Sequence, residues 1–470
     1  VPPLRIARAT IRAAMGWLSP PNARAPGGER AVCNWDEDAL TLSVEAARAC
    51  LAQAQSPGAL TLASTTLPFV DRSNATLVAT ALDLPATLET LDVTGTLRAA
   101  TGALAQACRR GDGVRTLVIG ADAREARPGS PEEMDFGAAA VALLVAPGGS
   151  AAAEPVLAQV RAAVHVAADF IDHYRMDGEA FDYALEERWV RDEGIAKLLP
   201  GAIASALQAA GLAAADIQHC ILPVSTAAAQ RLVRATGLER ARLADPQQQS
   251  CGDTGVAQPF TMLLGALEQA APGDNLLLVG FGQGVDALVL SIPRSAPALR
   301  HRPLQAAIAR RREETSYTRY LSHRGHLAVD FGKRAERDNR SAQSVMWRKS
   351  RQVTGFVGGR CAVCTTVQFP KSRVCVNPAC RRTDSQADVR LADLAGRVKS
   401  FTEDWQAYAA SPPAIYGNVE FEGGGNLLME FADAQAGELK VDMPVRFVFR
   451  IKDFDRMRAF RRYFWKATGV

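Results

Sequence analysis

Four cysteines toward the end of the chain stand at spacings that chemistry can use: Cys361-Ala-Val-Cys364 and, ten residues on, Cys375-Val-Asn-Pro-Ala-Cys380. A short Cys-to-Cys turn presents two thiolates to one ion, and two such turns complete the tetrahedron of soft ligands that zinc prefers. Four thiolates leave no coordination position for water or substrate, so the spacing predicts a structural Zn2+ rather than a catalytic one. In so small a module the metal supplies much of the folding free energy, on the order of 10 kcal/mol. The second knuckle has four residues between its cysteines where two are commoner, and Pro370 and Lys371 suit the turn joining the knuckles. The competing reading, four unrelated thiols, leaves the paired spacing unexplained.

The other five cysteines, Cys33, Cys50, Cys108, Cys220 and Cys251, form no disulfide framework. Cys251 lies in Cys251-Gly252-Asp253-Thr254-Gly255, next to an aspartate that raises a thiol pKa rather than lowering it. That weighs against a ready nucleophile. Cys108 shares a helical face with Leu97 and Leu104, and Cys220 opens the apolar run Ile221-Leu222-Pro223-Val224; both read as core. The six histidines make no constellation by spacing. His219 reads as a strand-end surface residue rather than an acid or base. His173 lies in a charge-dense stretch from Asp169 to Glu193, read as a solvated or subunit-facing helix with ion pairs.

Up to Pro293, helical patterns alternate with short β-rich runs. Leu40, Val44, Ala47 and Leu51 recur at helical spacing, predicting a helix from Asp36 to Gln53 capped by Asn34 or Asp36. Thr116 to Ile119, ending in Gly120-Ala121-Asp122, and Ala138 to Val145 read as buried strands. Asn275 to Val279, the turn Gly280-Phe281-Gly282-Gln283-Gly284, and Ala287 to Ile292 repeat that pattern. Two similar blocks imply an internally duplicated α/β body with buried sheets, its halves at 1–150 and 151–293.

From 294 to 350 arginines dominate. Arg310, Arg311 and Arg312 are expected in a helix and Arg334 to Arg340 in a connector, their charges solvated rather than gathered into an anion site. The ribbon takes 351–395. Five short strands, Val389–Asp393, Gly396–Thr402, Gly417–Phe421, Asn426–Phe431 and Val445–Ile451, then fit an OB-type barrel over 396–470. A net charge of +4 over 470 residues is too small to demand a nucleic-acid partner. No apolar run reaches the ~18 residues of a spanning helix. The opening residues lack a signal peptide's apolar block, and the expectation is a cytoplasmic protein.

The carrying segments together resemble the thiolase superfamily, in its 3-hydroxy-3-methylglutaryl-CoA synthase branch. They are Asn34-Trp35-Asp36-Glu37-Asp38-Ala39, Ala63-Ser64-Thr65-Thr66-Leu67-Pro68, Asp92-Val93-Thr94-Gly95, Asp169-Phe170 with Arg175, Cys251 to Gly255 and Gly280 to Gly284. The last ~120 residues resemble the zinc-ribbon/OB proteins that accompany thiolase-like enzymes. The resemblance implies a layered αβαβα body followed by a rubredoxin-like zinc ribbon and an OB barrel. It also implies acyl-CoA carbon–carbon chemistry through an acylated cysteine, a histidine and a glutamate. At those places stand Leu97, Ile221 and Thr65, and the family's asparagine falls on Asp253. A helix N-terminus lowers a thiol's pKa, a benefit that Leu97 cannot use.

Three functions follow. One is a nucleophile-lacking subunit of an acyltransferase or thiolase complex, with a thiolase-type catalytic subunit as partner, the zinc-OB module docking that partner or acyl-CoA, and the body forming a homodimer. Another is an autonomous enzyme whose catalytic candidates are Asp253, Cys251, Asp92 and His219, with Arg98, Gly282 and Gly284 binding substrate. The third is a nucleic-acid module using the basic, aromatic tail from Arg458 to Trp465; its aromatics read instead as barrel packing.

Overall fold

A computed structural model describes every residue except 19, 21–25, 53, 147–154 and 300. The chain separates into two compact units: Val1–Asn34, Asp38–Ala75 and Thr87–Leu321 form the first, and Trp35–Glu37, Thr76–Ala86 and Ser322–Val470 the second. The stretch 294–350 therefore divides between them. The expected boundary between body halves at 150, and the expected helix end at Gln53, lie outside the described residues.

In the first unit β1 (Leu4–Ala7) pairs antiparallel with β2 (Glu29–Val32). Next come β3 (Ala59–Ala63), β4 (Glu89–Val93), β5 (Thr116–Ala123) and β6 (Ala138–Val145), in the order β4-β3-β5-β6 with only β6 antiparallel. Strand β5 is buried at all its positions, as a sheet covered on both faces requires. After β7 (Gln159–Ala167) and a hairpin of β8 (His173–Tyr174) and β9 (Tyr183–Ala184), the pattern returns. Strands β10 (His219–Ile221), β11 (Arg242–Leu243), β12 (Asn275–Phe281) and β13 (Gly284–Ser291) lie in the order β11-β10-β12-β13, with β7 added beside β13. A short β14 (Arg312–Glu313) pairs parallel with β1.

The repeat of strand order is the expected duplication. Helix Ala39–Leu51 packs on β5 and β6, helix Ala196–Ala210 on β7 and β13, and helices Ala99–Arg109 and Gln258–Leu267 touch strands of both sheets. Layers thus run α, β, α, β, α. Ala100, Leu104, Phe260 and Leu263 fill the middle layer against Val118 and Leu278.

Three local expectations are corrected. Helix Ala39–Leu51 is capped by Asp38, whose carboxylate accepts from the Leu40 and Thr41 amides at 3.1 and 3.0 Å while Thr41 returns a hydroxyl; Asp36 is buried elsewhere, in the second unit. The Arg310 to Arg312 run is not helical, because the preceding helix ends at Ala309 and the Arg311 side chain turns inward to the Ser250 carbonyl and Glu29. The charged stretch around His173 is a hairpin, its helix starting only at Glu187.

In the second unit β15 (Val357–Cys361), β16 (Val367–Gln368) and β17 (Gln386–Arg390) form an antiparallel ribbon ordered β16-β15-β17. Then β18 (Gly396–Asp404), β19 (Ala414–Phe421), β20 (Asn426–Glu430), β21 (Pro444–Asp455) and β22 (Phe460–Gly469) make one sheet ordered β20-β19-β18-β21-β22. Its edges meet at a single parallel bridge, Phe431 to Ala467, so the barrel is partly open, as OB folds are. The strand expected at Val389–Asp393 belongs instead to the ribbon and a following turn, and the fifth barrel strand is the aromatic tail. Tyr463, Trp465 and Ala467 are buried, and Trp465 stacks on Phe356 while donating to the Thr354 carbonyl at 2.7 Å.

Two buried cations on the last strands are matched by early-chain acids. Arg450 pairs with Glu37 and, at 2.6 Å, with Asp433. Lys466 pairs with Asp36 at 2.9 Å and with Glu430 at 3.3 Å, its ammonium 4.1 Å from the Trp35 ring centroid. Among the described residues no helix is long and apolar enough to cross a membrane.

Candidate functional site

The ribbon brings its four thiols together. Sγ of Cys361, Cys364, Cys375 and Cys380 all lie within 4.8 Å of one another, with Cys364–Cys375 at 3.5 Å and Cys361–Cys380 at 3.9 Å. A tetrahedral ion with 2.3 Å bonds to sulfur needs sulfurs about 3.8 Å apart. The residues therefore fit a metal ion. Polar neighbours hold the thiols: Cys361 lies 3.2 Å from Ser385 Oγ and Cys364 3.3 Å from Thr366 Oγ1, which also accepts from Asn377. The Ser385 hydrogen bond, with backbone donors, brings the Cys361 thiol down to about 6.

In the first unit Leu97 stands just ahead of helix Ala99–Arg109, partly buried and packed on the middle layer. Its amide and Cβ abut Gly282, where an added Cβ would come within 3.2 to 3.3 Å of them at a φ of +150°. Gly282 thus admits backbone, and its carbonyl accepts from Thr96 Oγ1 at 2.6 Å and Arg98 Nε at 3.2 Å. Gly284 does the same against the Val166 carbonyl. At both glycines the close neighbours are the protein's own atoms. Ile221 is fully buried.

Thr65 donates its amide and hydroxyl to the buried Asp122 at 2.8 and 2.9 Å. Ser64, Thr66 and the Val256 amide add three more donors to that carboxylate. Nearby, the Arg124 guanidinium lies 3.7 Å from the Phe136 ring centroid, bonds Asp182 at 2.8 Å and reaches Asp253 at 3.2 Å. Asp253 is therefore an ion-pair partner.

The remaining candidates are not brought together. Cys251 is fully buried, its carbonyl accepting from Ala31, and burial pushes its thiol up. Asp92 caps helix Asn74–Ala81, taking the Asn74 and Ala75 amides, each at 2.7 Å. His219, expected at the surface, is instead buried against Asp274 at 3.1 Å.

Sequence reasoning missed Asp286. It is fully buried on β13 and gathers Arg98 Nη1 at 3.1 Å, Thr101 Oγ1 at 2.8 Å and His165 Nδ1 at 2.7 Å. The contact fixes the ring's orientation, and in the neutral tautomer that donates from Nδ1 the Nε2 atom is the acceptor, the arrangement of an oriented base. The signal was an aspartate inside the apolar run Val285-Asp286-Ala287-Leu288, where burial demands partners.

Fold and site define a thiolase-fold body joined in one chain to a cysteine ribbon and an OB-fold domain. In sequence the chain is 28% identical over 350 residues to the hydroxymethylglutaryl-CoA synthase of Aeropyrum pernix, covering 70% of this chain and 93% of that protein. The Methanothermobacter thermautotrophicus enzyme of the same name is 26% identical over 332 residues, covering 67% and 93%. Among solved structures, MvaS in complex with 3-hydroxy-3-methylglutaryl coenzyme A aligns at a TM-score of 0.56 and 20% identity over 71% of this chain and 91% of its own. An HMG-CoA synthase complexed with CoA aligns at 0.57 and 16% identity, over 71% and 89%. A family model described as the ChsH2 C-terminal OB-fold domain matches residues 388–450. In sequence the chain is thus similar to hydroxymethylglutaryl-CoA synthases, its body has the thiolase fold, and residues 388–450 match an OB-fold domain.

Proposed function

We propose that this chain takes part in acyl-CoA carbon–carbon chemistry as a subunit that holds the thioester without becoming acylated. The observation that carries the reading is Leu97 at the foot of helix Ala99–Arg109, where the helix N-terminus would favour a thiolate and a leucine offers none. The buried Ile221 and the Asp122-bound Thr65 leave the other two acylation places equally unsuited. The nucleophile then comes from a thiolase-type catalytic partner, with the ribbon and OB domain docking that partner or the acyl-CoA. Zinc is the ion for four thiolates, and a closed thiolate set makes it structural. A homodimer belongs to the same reading, supported by the edge strand β4 with Leu91 half exposed. So does a cytoplasmic setting, where thiolates stay reduced.

Calorimetry with CoA and short acyl-CoA esters, with CoA release followed by a thiol reagent, tests it. Binding without release by the chain alone, and release restored by an intact thiolase, is the expected result. Release by the isolated chain refutes it and favours the second reading, an autonomous enzyme. The oriented His165–Asp286 pair beside Arg98 supports that alternative, and His165→Ala would then abolish the release.

A further inference from the structure

The second unit carries a groove of about 740 Å3, inside the size range of small-molecule sites. Five cations line it, Arg348, Lys349, Arg351, Lys371 and Arg373, against two carboxylates, Asp384 and Asp388. Both carboxylates are already committed. Asp388 takes Arg351 at 2.8 Å and Lys371 at 2.6 Å, and Asp384 takes Arg373 at 2.8 and 3.0 Å. The other face of the Arg351 guanidinium is held by Asp83 at 2.9 and 3.0 Å.

Arg348 and Lys349 remain: adjacent, exposed, and without a carboxylate partner among the described residues. Gln386, which also lines the groove, has its amide nitrogen and oxygen both buried with no hydrogen-bond partner. Buried amide groups normally find partners. The groove therefore combines an excess of positive charge with unused donors.

We propose that this groove binds the phosphate groups of a phosphorylated small molecule. A phosphomonoester carries nearly two negative charges and three acceptor oxygens, which suits two adjacent donor-only cations better than a single carboxylate does. Arg351, Lys371 and Arg373, each paired with an aspartate, add a basic wall to the groove. The phosphate could arrive on a free nucleotide or on the nucleotide end of CoA. Only the latter source rests on the acyl-CoA reading above.

The test titrates the full metal-loaded chain with inorganic phosphate, adenosine 3′,5′-bisphosphate and CoA by calorimetry. It compares wild type with the double variant Arg348→Glu/Lys349→Glu and with Lys440→Glu, an exposed cation outside the groove. Neither groove position has a structural partner to lose, and unchanged metal content and melting verify the fold. The expected result is bisphosphate binding that weakens about tenfold or more in the double variant and is unchanged in Lys440→Glu. A parallel loss for CoA assigns the carrier as the source, whereas intact CoA binding assigns a free nucleotide. Equal bisphosphate affinity in wild type and double variant, or no binding of any phosphate probe, overturns the proposal. Because the bisphosphate has no thioester, failure of the acyl-CoA reading leaves this outcome separately readable.

Discussion

Replacing Lys466 by methionine removes a charge while keeping the volume of the stem. In the folded chain its ammonium lies 2.9 Å from Asp36 Oδ2, and both side chains are 2% exposed. At an effective dielectric of about 20, a pair at that distance attracts by about 6 kcal/mol. Desolvation offsets part of this, and removing one partner of such a pair typically costs about 3–5 kcal/mol, the loss expected at neutral pH. Asp36→Asn should cost a similar amount, and the double variant much less than the sum. The pH dependence has a definite sign. Burial alone would raise the Asp36 pKa, but Lys466 and Arg450 hold it below the usual carboxylate value. A depressed carboxylate contributes stability above its unfolded pKa of about 3.9, and loses it as pH falls through the lower folded value. Without Lys466, burial is opposed chiefly by Arg450, so the variant takes up a proton more readily and its deficit should shrink as pH falls toward 4. Urea titrations across that range, with hydrogen exchange of β22 amides at neutral pH, measure both quantities. A deficit below about 1 kcal/mol at neutral pH, or one that grows on acidification, would refute the reasoning.

Cys375→Ser should reduce bound metal from about one ion per chain to almost none by elemental analysis, and lower the unfolding midpoint of the second unit. Burial pushes the thiol pKa of Cys108 up to about 11 and of Cys220 up to about 12, and raises that of Cys251. Iodoacetamide at mildly alkaline pH should therefore leave all three unmodified in the native protein, as read by peptide mass mapping; labelling of Cys251 at a free-thiol rate would contradict its placement. Asp286→Asn leaves Arg98 without its counter-charge and should cost about 3–5 kcal/mol in chemical denaturation, while Asp253→Asn, on a more exposed pair, should cost about 1 kcal/mol.

The layered body was legible because its central strands contain short apolar runs, and Thr116 to Ile119 or Asn275 to Val279 can be little else. The cysteine cluster was legible because ligand spacing is local: two short turns carry the whole site. What stayed hidden depends on partners distant in sequence. Asp92 looked available for chemistry until Asn74 and Ala75 were seen to donate to it. Asp286 falls between the segment ending at Gly284 and the strand read from Ala287, and its partner His165 lies 121 positions earlier. Asp36 was misread as a helix cap because an acid before a helical pattern is the ordinary signature of one. Its actual partner, Lys466, lies in a tail whose mixture of arginines and aromatics masks a barrel strand.

The discontinuity of the second unit has a consequence in time. Asp36 and Lys466 are 430 positions apart. At about 5–20 residues per second, the ribosome delivers the lysine some 20 to 90 seconds after the aspartate. Throughout that interval Trp35–Glu37 must stay accessible to a strand not yet made, and water can solvate its two acids cheaply. The reverse order would be harder: a fragment beginning at Ser322 must enclose Arg450 and Lys466 with neither Asp36 nor Glu37 to meet them. Synthesis from the N-terminus thus presents the acids first and closes the cations over them last.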